Sequence, residues 1–220
     1  MPDVLAALLR RRAWSLWPAA APAVRNPAFR IAPCAPVSVP AVQSAMTGAT
    51  VISTARLDLR ELTVRDAPFV LELLNDPTFL RYIGDRGVRN LDEAHRYIVK
   101  GMLQSYERHG FGLWMVELRD DARRPIGLCG LVAREGLPLP DIGFALLPRW
   151  WSQGYAHEAA TAVMAHARQA LGLQRVLAIA SPQNASSVRL LRKLGFAYER
   201  DVQMPGEAQP AALFVADAPT

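Results

Sequence analysis

The segment from Trp150 to Ala160, WWSQGYAHEAA, is the part of this 220-residue chain whose residue types and order point most directly to chemistry. It is a small-residue turn opening an Ala-rich helix that begins near Ala156. The first N–H groups of a helix have no internal partner and carry the positive end of its dipole. Ser152, Gln153, Gly154, Tyr155 and Ala156 can therefore present backbone donors to an anion, typically a phosphate. Gly154 and Ala156 keep the approach open. The segment matches neither G-x-x-x-x-G-K-[ST], the mark of nucleoside triphosphate chemistry, nor the dinucleotide fingerprint G-x-G-x-x-G. A glycine ahead of a helix is also ordinary punctuation, so the surrounding order of elements has to decide.

Other reactive side chains carry weaker signals. His157 follows the turn directly, where decorating a helix N-terminus competes with a role as base. His95, His109 and His166 show no Cys/His spacing of a zinc site, and no metal is expected. Cys129 lies inside an apolar strand and reads as core, with no neighbouring base for an acetyl-cysteine intermediate. Trp150 and Trp151 are expected to pack beside the turn, and no basic aromatic strip marks a nucleic-acid surface.

The elements that would position these residues follow from hydrophobic period and punctuation. Residues 52–62 (ISTARLDLREL) read as one opening strand. Thr63 and Asp66 form a capping box ahead of a helix through Phe69, Val70, Leu73 and Leu74 that ends at Asn75-Asp76-Pro77. Asn90 and Glu93 launch a second helix through Ala94, Tyr97, Ile98 and Met102 to His109-Gly110. Residues 111–119, 125–134 and 140–148 are strands of an antiparallel meander, closed by Pro148. Residues 156–172 are an amphipathic helix, 175–181 a buried strand and 185–195 a last helix, followed by the strand-like FAYERDV and ALFVA. No repeat appears at a period of 20–50 residues.

Composition bounds the class. With 51% hydrophobic and 20% charged residues, the chain has the apolar material for a packed core, which excludes disordered and collagen-like architectures. Two cysteines, Cys34 and Cys129, exclude a disulfide-stapled scaffold and fit a reducing compartment, with the cytoplasm as the expectation. The net charge of +5 is uneven: residues 1–46 hold five arginines and one acid, a surplus of +4, and the remainder is nearly neutral. That asymmetry removes the general nucleic-acid reading suggested by the basic total. The first forty-six residues carry seven prolines and no apolar run of membrane-spanning length. VLAALL precedes its arginines, the wrong order for an export signal. A transit peptide or surface-lying helix is one reading of this segment. A flexible Arg/Pro/Ala-rich tail, or an over-long reading frame whose start is Met46, is the reading preferred here.

The order of strand, short helices, three meander strands, x-x-x-G-x-A turn, helix, strand, asparagine, helix and Gly-Phe resembles the GNAT superfamily of N-acetyltransferases. The residues from DIGFALLPRWWSQGYAHEAA to NASSVRLLRKLGFAYE are similar to the acetyl-coenzyme-A half of the branch containing the ribosomal-protein N-terminal acetyltransferases. TARLDLREL and RDAPFVLELLNDPTFLRYIG resemble that branch's opening, so the likeness spans roughly residues 52–200.

The resemblance implies an α+β fold: a mixed, mostly antiparallel sheet with helices on both faces and a splay between two central strands. It makes residues 47–220 the N-acetyltransferase domain. The family's pyrophosphate loop Q/R-x-x-G-x-G/A falls on Trp151 to Ala156, with Trp151 departing at its first position. The backbone of Ala145, Leu146 and Leu147 would pair with the pantetheine arm, and Asn184 would hydrogen-bond it. Many members place a tyrosine seven residues after that asparagine to protonate the leaving thiolate. Here Leu191 stands there and cannot donate a proton. Ser187 resembles the serine proposed for that role in the ribosomal-protein branch, although an ordinary early-helix serine fits its position equally. Acyl transfer needs a neutral amine, so a proton acceptor helps. Asp141 aligns with an acidic position of the branch and would act through water, against the plainer role of solvating a strand end. Arg189, Arg192 and Lys193 belong to a solvated helix face or meet nucleotide phosphates.

The expected activity is transfer of an acetyl group from acetyl-coenzyme A to a primary amine of a protein N-terminus or small molecule, without metal. A degenerate coenzyme A or acyl-coenzyme A sensor is the alternative. The expected partners are that amine substrate, with no nucleic acid and no membrane, and the state a monomer or homodimer.

Overall fold

The single strand expected over residues 52–62 is a hairpin in the computed structural model, which describes residues 48–120, 122–205, 207 and 209–217. The extension expected over residues 1–46 lies outside the described residues. β1 (Thr50–Ser53) and β2 (Leu57–Arg60) are joined by a turn closed by Thr54 N–H on Leu57 O at 2.8 Å. Alternation cannot separate two short paired strands from one long one, and the turn carries no Gly or Pro to mark it.

After β2, Thr63 and Asp66 form their capping box over a single 3₁₀ turn, and α1 (Ala67–Asn75) and α2 (Pro77–Tyr82) follow. Asn90 accepts the Glu93 N–H to start α3 (Leu91–Tyr97), which runs through a π-helical stretch (Ile98–Leu103) into α4 (Gln104–His109). The meander is β3 (Leu113–Leu118), β4 (Pro125–Val132) and β5 (Asp141–Leu146). Then come α5 (Tyr155–Gln169), β6 (Arg175–Ala180), α6 (Ala185–Lys193), β7 (Ala197–Val202) and β8 (Ala211–Asp217).

One sheet takes the order β1-β2-β3-β4-β5-β6-β8-β7. Every neighbouring pair is antiparallel except β5 and β6. α5 and α6 cover one face, where Ala159, Val163, Ala167 and Leu191 pack with Trp114, Val116, Cys129 and Ile142. α1 to α3 and the π-helical stretch cover the other, with Val70, Leu73, Leu74, Ile98 and Met102 around Met115, Leu128 and Leu147. Covering on both faces explains why β4 reads as a continuous apolar run, since neither of its faces meets solvent. Each large apolar side chain so buried contributes roughly 1.5–3 kcal/mol.

The feature that positions the site is where pairing stops. β5 pairs with β4 along its whole length, and β6 pairs with β8 along its whole length. Between β5 and β6 there is one register pair, Asp141 with Leu177, fixed by Leu177 N–H on Pro140 O at 3.0 Å. Beyond it the two strands part, leaving a gap lined by unpaired strand edges in the middle of the sheet.

Candidate active site

Strand alternation decides which β5 groups face that gap. Leu147 N–H donates to Ile126 O at 3.0 Å, so the register places Gly143, Ala145 and Leu147 with their backbone groups toward β4. The intervening Phe144 and Leu146 direct theirs toward β6, where no partner strand follows. This corrects the expected pantetheine contacts. Leu147 N–H is engaged on β4, Ala145 turns its backbone the same way, and Phe144 joins Leu146 as a donor facing the gap. Ala145 still lines the cavity at the splay, through its side-chain face.

At the end of β5 the chain makes the turn singled out from sequence. Gly154 adopts φ 83° and N-caps α5, while Ser152 takes φ 60°, a left-handed conformation uncommon outside glycine. The first helical N–H to bond within the chain is that of Glu158, on Gly154 O at 3.0 Å. Among the described residues, the N–H groups from Ser152 to His157 ahead of it have no backbone partner, the arrangement an anion requires. Gly154 leaves that approach open, and a Cβ there would lie 3.3 Å from Arg56 Nη2. The Trp151 indole Nε1 donates to Leu146 O at 2.7 Å, tying the turn to the end of β5. Ala156 is half-buried against the core, and Gln153 is exposed, its side chain donating to Arg149 O at 3.1 Å.

What braces this turn lies about a hundred residues away along the chain and was missed from sequence. Arg56, in the β1–β2 turn, donates from Nη1 to Gln153 O at 3.1 Å and from Nε to Glu158 Oε2 at 2.7 Å. Its guanidinium lies 4.5 Å from the centre of the Tyr155 ring. Glu158 Oε1 also accepts Thr54 Oγ1 at 2.6 Å and Arg56 N–H at 3.0 Å. Burial pushes the Glu158 carboxyl up, but the bonds from Thr54 and Arg56 outweigh it and hold it below the ordinary range. Trp150 packs edge-on to Tyr155 at 6.3 Å, beside the turn as expected.

Asn184, Ser187 and Asp141 meet in one cavity of about 580 Å³ that also receives Ala145 and Leu191. Asn184 caps α6, its side-chain oxygen accepting Ser187 N–H at 3.1 Å, which leaves its amide NH₂ to donate. Ser187 is half-buried on the first turn of α6. Leu191, one turn further on, is in the core with 1% of its surface exposed. Asp141 is 1% exposed, and Arg134 donates to both its oxygens, Nε at 3.2 Å and Nη2 at 3.1 Å. Burial pushes its carboxyl above the ordinary range, with Arg134 opposing. The ordinary strand-end role would have left it in solvent; it is instead a buried, paired carboxylate in the cavity wall. Burial pushes the Cys129 thiol up to about 12, which keeps it protonated and unreactive.

Residues 56–197 match the family described as the acetyltransferase (GNAT) domain. The chain belongs to the GNAT acetyltransferase family. Its family makes it an acyltransferase. An uncharacterized N-acetyltransferase of Bacillus subtilis, YoaA, is 31% identical over 150 residues, covering 68% of this chain and 84% of that protein. Among solved structures, an acetyltransferase of Agrobacterium tumefaciens superposes with a TM-score of 0.66 at 22% identity, covering 77% of this chain and 95% of that one. The ribosomal L7/L12 α-N-protein acetyltransferase RimL, in complex with coenzyme A, gives a TM-score of 0.64 at 16% identity, covering 77% of this chain and 98% of that one. These likenesses bear out the α+β GNAT fold and the family read from the motifs. No described helix is long and apolar enough to cross a membrane.

Proposed function

We propose that this GNAT protein moves the acetyl group of acetyl-coenzyme A directly to a primary amine, of a small molecule or a protein N-terminus, with both substrates bound together. The observation that carries this reading is the splay of β5 from β6 after one register pair, with a cavity on one side and a free helix N-terminus at the end of the strand. The N–H groups of residues 152–156 hold the pyrophosphate, and the gap-facing backbone of Phe144 and Leu146 with the Asn184 amide holds the pantetheine arm. The thioester then lies at the cavity.

The amine nitrogen attacks the thioester carbonyl carbon, whose oxygen gains negative charge beside a β5 N–H. The carbon–sulfur bond then breaks, its electron pair passing to sulfur, and the amide and the thiol are the products. The proton lost by the amine passes through water to Asp141, which returns it to solvent, while the Ser187 hydroxyl hydrogen-bonds the departing thiolate, which takes its own proton from solvent to become the thiol. Leu191 can take no part. The rate enhancement comes mainly from holding the two substrates in line.

The sensor reading draws on Leu191 and on the lack of a certain base, and turnover separates the two. Release of coenzyme A from acetyl-coenzyme A, followed by thiol detection across a panel of amines, is expected for at least one amine at a rate well above hydrolysis. Tight acetyl-coenzyme A binding with no release across amino acids, peptides, polyamines and aminoglycosides would overturn the transfer reading in favour of the sensor.

A further inference from the structure

The cavity wall opposite the thioester carries more positive charge than a site built for an ordinary amine would use. Three arginines, Arg81, Arg86 and Arg134, line it against two carboxylates, Asp141 and Glu207. A guanidinium keeps its proton under all ordinary conditions, so these charges are permanent. Arg81 is exposed at the rim, over the Tyr82 ring at 5.1 Å. Arg134 is held by Asp141, and its side chain is 17% exposed. Arg86, in the loop between α2 and α3, is half-buried, and its Nη2 donates to Ile83 O at 3.3 Å, which fixes the guanidinium in the wall.

The phenol of Tyr97, at the end of α3, lines the same wall within electrostatic range of both Arg86 and Arg134. Burial pushes that phenol up, keeping it a neutral hydrogen-bond donor, while the two guanidiniums oppose the shift. Arg86 is itself pushed down by burial and by Arg134, with Tyr97, Glu207 and Asp85 acting in the other direction.

An amine arrives largely as an ammonium ion. A pocket for a polyamine or another polycation would be lined by surplus carboxylates, because a like charge in a partly desolvated wall repels the ligand. Here the surplus has the opposite sign, and the same wall carries a guanidinium and a phenol, donors suited to a carboxylate.

We infer that the acceptor is an amine that also carries a carboxylate, an amino-acid-like acceptor whose carboxylate docks on Arg86 and Tyr97 while its amine reaches the splay. The inference rests on the acetyl-transfer reading above and adds the acceptor's chemical class to it.

The test uses the full chain saturated with coenzyme A, titrated by calorimetry with two product-like probes. N-acetyl-L-glutamate carries carboxylates, and N-acetyl-L-glutamine amide is its neutral counterpart. The acid is expected to bind at least tenfold more tightly. Arg86→Gln is expected to bring the two within twofold of each other, and Arg86→Lys to retain part of the preference, with acetyl-coenzyme A affinity and circular dichroism as in the wild type. Equal binding of the two probes, no binding of either, or a preference that survives in a folded Arg86→Gln protein would overturn the inference. Failure of the wild type to bind acetyl-coenzyme A would overturn the transfer reading instead, so the two failures are distinct.

Discussion

Replacing Arg56 with alanine removes the brace of the turn before α5 without touching the cavity. The lost contacts are the ion pair with Glu158 at 2.6 Å, the bond to Gln153 O and the packing over Tyr155. The Arg56 side chain is 48% exposed and that of Glu158 19%, so the ion pair is worth about 0.5 kcal/mol after solvent screening. The charged bond to a carbonyl adds about 1 kcal/mol and the cation–π contact about 0.5 kcal/mol. Without them the turn leaves its binding-competent form part of the time, and apparent affinity falls by that fraction. The full loss, about 2 kcal/mol, corresponds to a roughly 30-fold rise in the Kd for acetyl-coenzyme A, with about 5-fold if half of it is recovered by relaxation. Arg56 does not line the cavity, so kcat at saturating donor is expected to stay near wild type while KM for acetyl-coenzyme A rises. Glu158→Gln keeps an acceptor for Thr54 and loses only the ion pair, for an expected rise of about two- to threefold. Calorimetry and steady-state kinetics read both variants. A folded Arg56→Ala protein with a Kd within twofold of wild type, or one whose loss falls on kcat alone, would refute the reasoning.

Ser187→Ala is expected to lower kcat about tenfold and Asp141→Asn about 100-fold, each with little change in acetyl-coenzyme A affinity by calorimetry. Asp66 supplies a pH-dependent stability term. Burial alone would raise its carboxyl, but two bonds from Arg60 at 2.8 and 2.9 Å and one from Thr63 N–H at 2.7 Å hold it below the ordinary range. A carboxyl depressed in the folded state stabilises above its unfolded pKa of about 3.9, and that stability is lost as pH falls through the folded value. Asp66→Asn is therefore expected to cost about 1–2 kcal/mol in urea unfolding at pH 7, with the gap closing as pH falls below the ordinary carboxylate range. Cys129 is expected to resist a disulfide reagent in the native protein and to react on unfolding, as mass spectrometry of the labelled peptide would read, because it is fully buried with its thiol pushed up to about 12.

What was legible in the sequence was contiguous. The turn at Ser152 to Ala156 and the pair Asn184 and Ser187 each lie within a few residues, and the helix and strand that carry them announce themselves by period and caps. The cavity at the splay collects Asn184, Ser187 and Asp141, three residues singled out from family likeness. What was not legible depends on register and on distance along the chain. Phe144, rather than Ala145 or Leu147, faces the gap because Leu147 N–H pairs with Ile126 O, and strand register is invisible until the partner strand is known. Arg56 reaches Glu158 across 102 residues of sequence, through a hairpin turn that alternation alone reads as unbroken strand. Arg86, Tyr97 and Arg134 come from a loop, a helix end and a strand end, and only the folded sheet brings them to one wall.

The turn before α5 is proposed to hold the pyrophosphate of acetyl-coenzyme A. Calorimetric titration of acetyl-coenzyme A into the full chain, beside Gly154→Glu, tests it most directly. A glutamate there places bulk and a negative charge in the anion's path, each costing about 1 kcal/mol or more. The wild type is expected to bind one equivalent at micromolar Kd or tighter, and a folded Gly154→Glu protein at least about 30-fold more weakly. No binding by the folded wild type, or equal binding by the variant, would contradict the account.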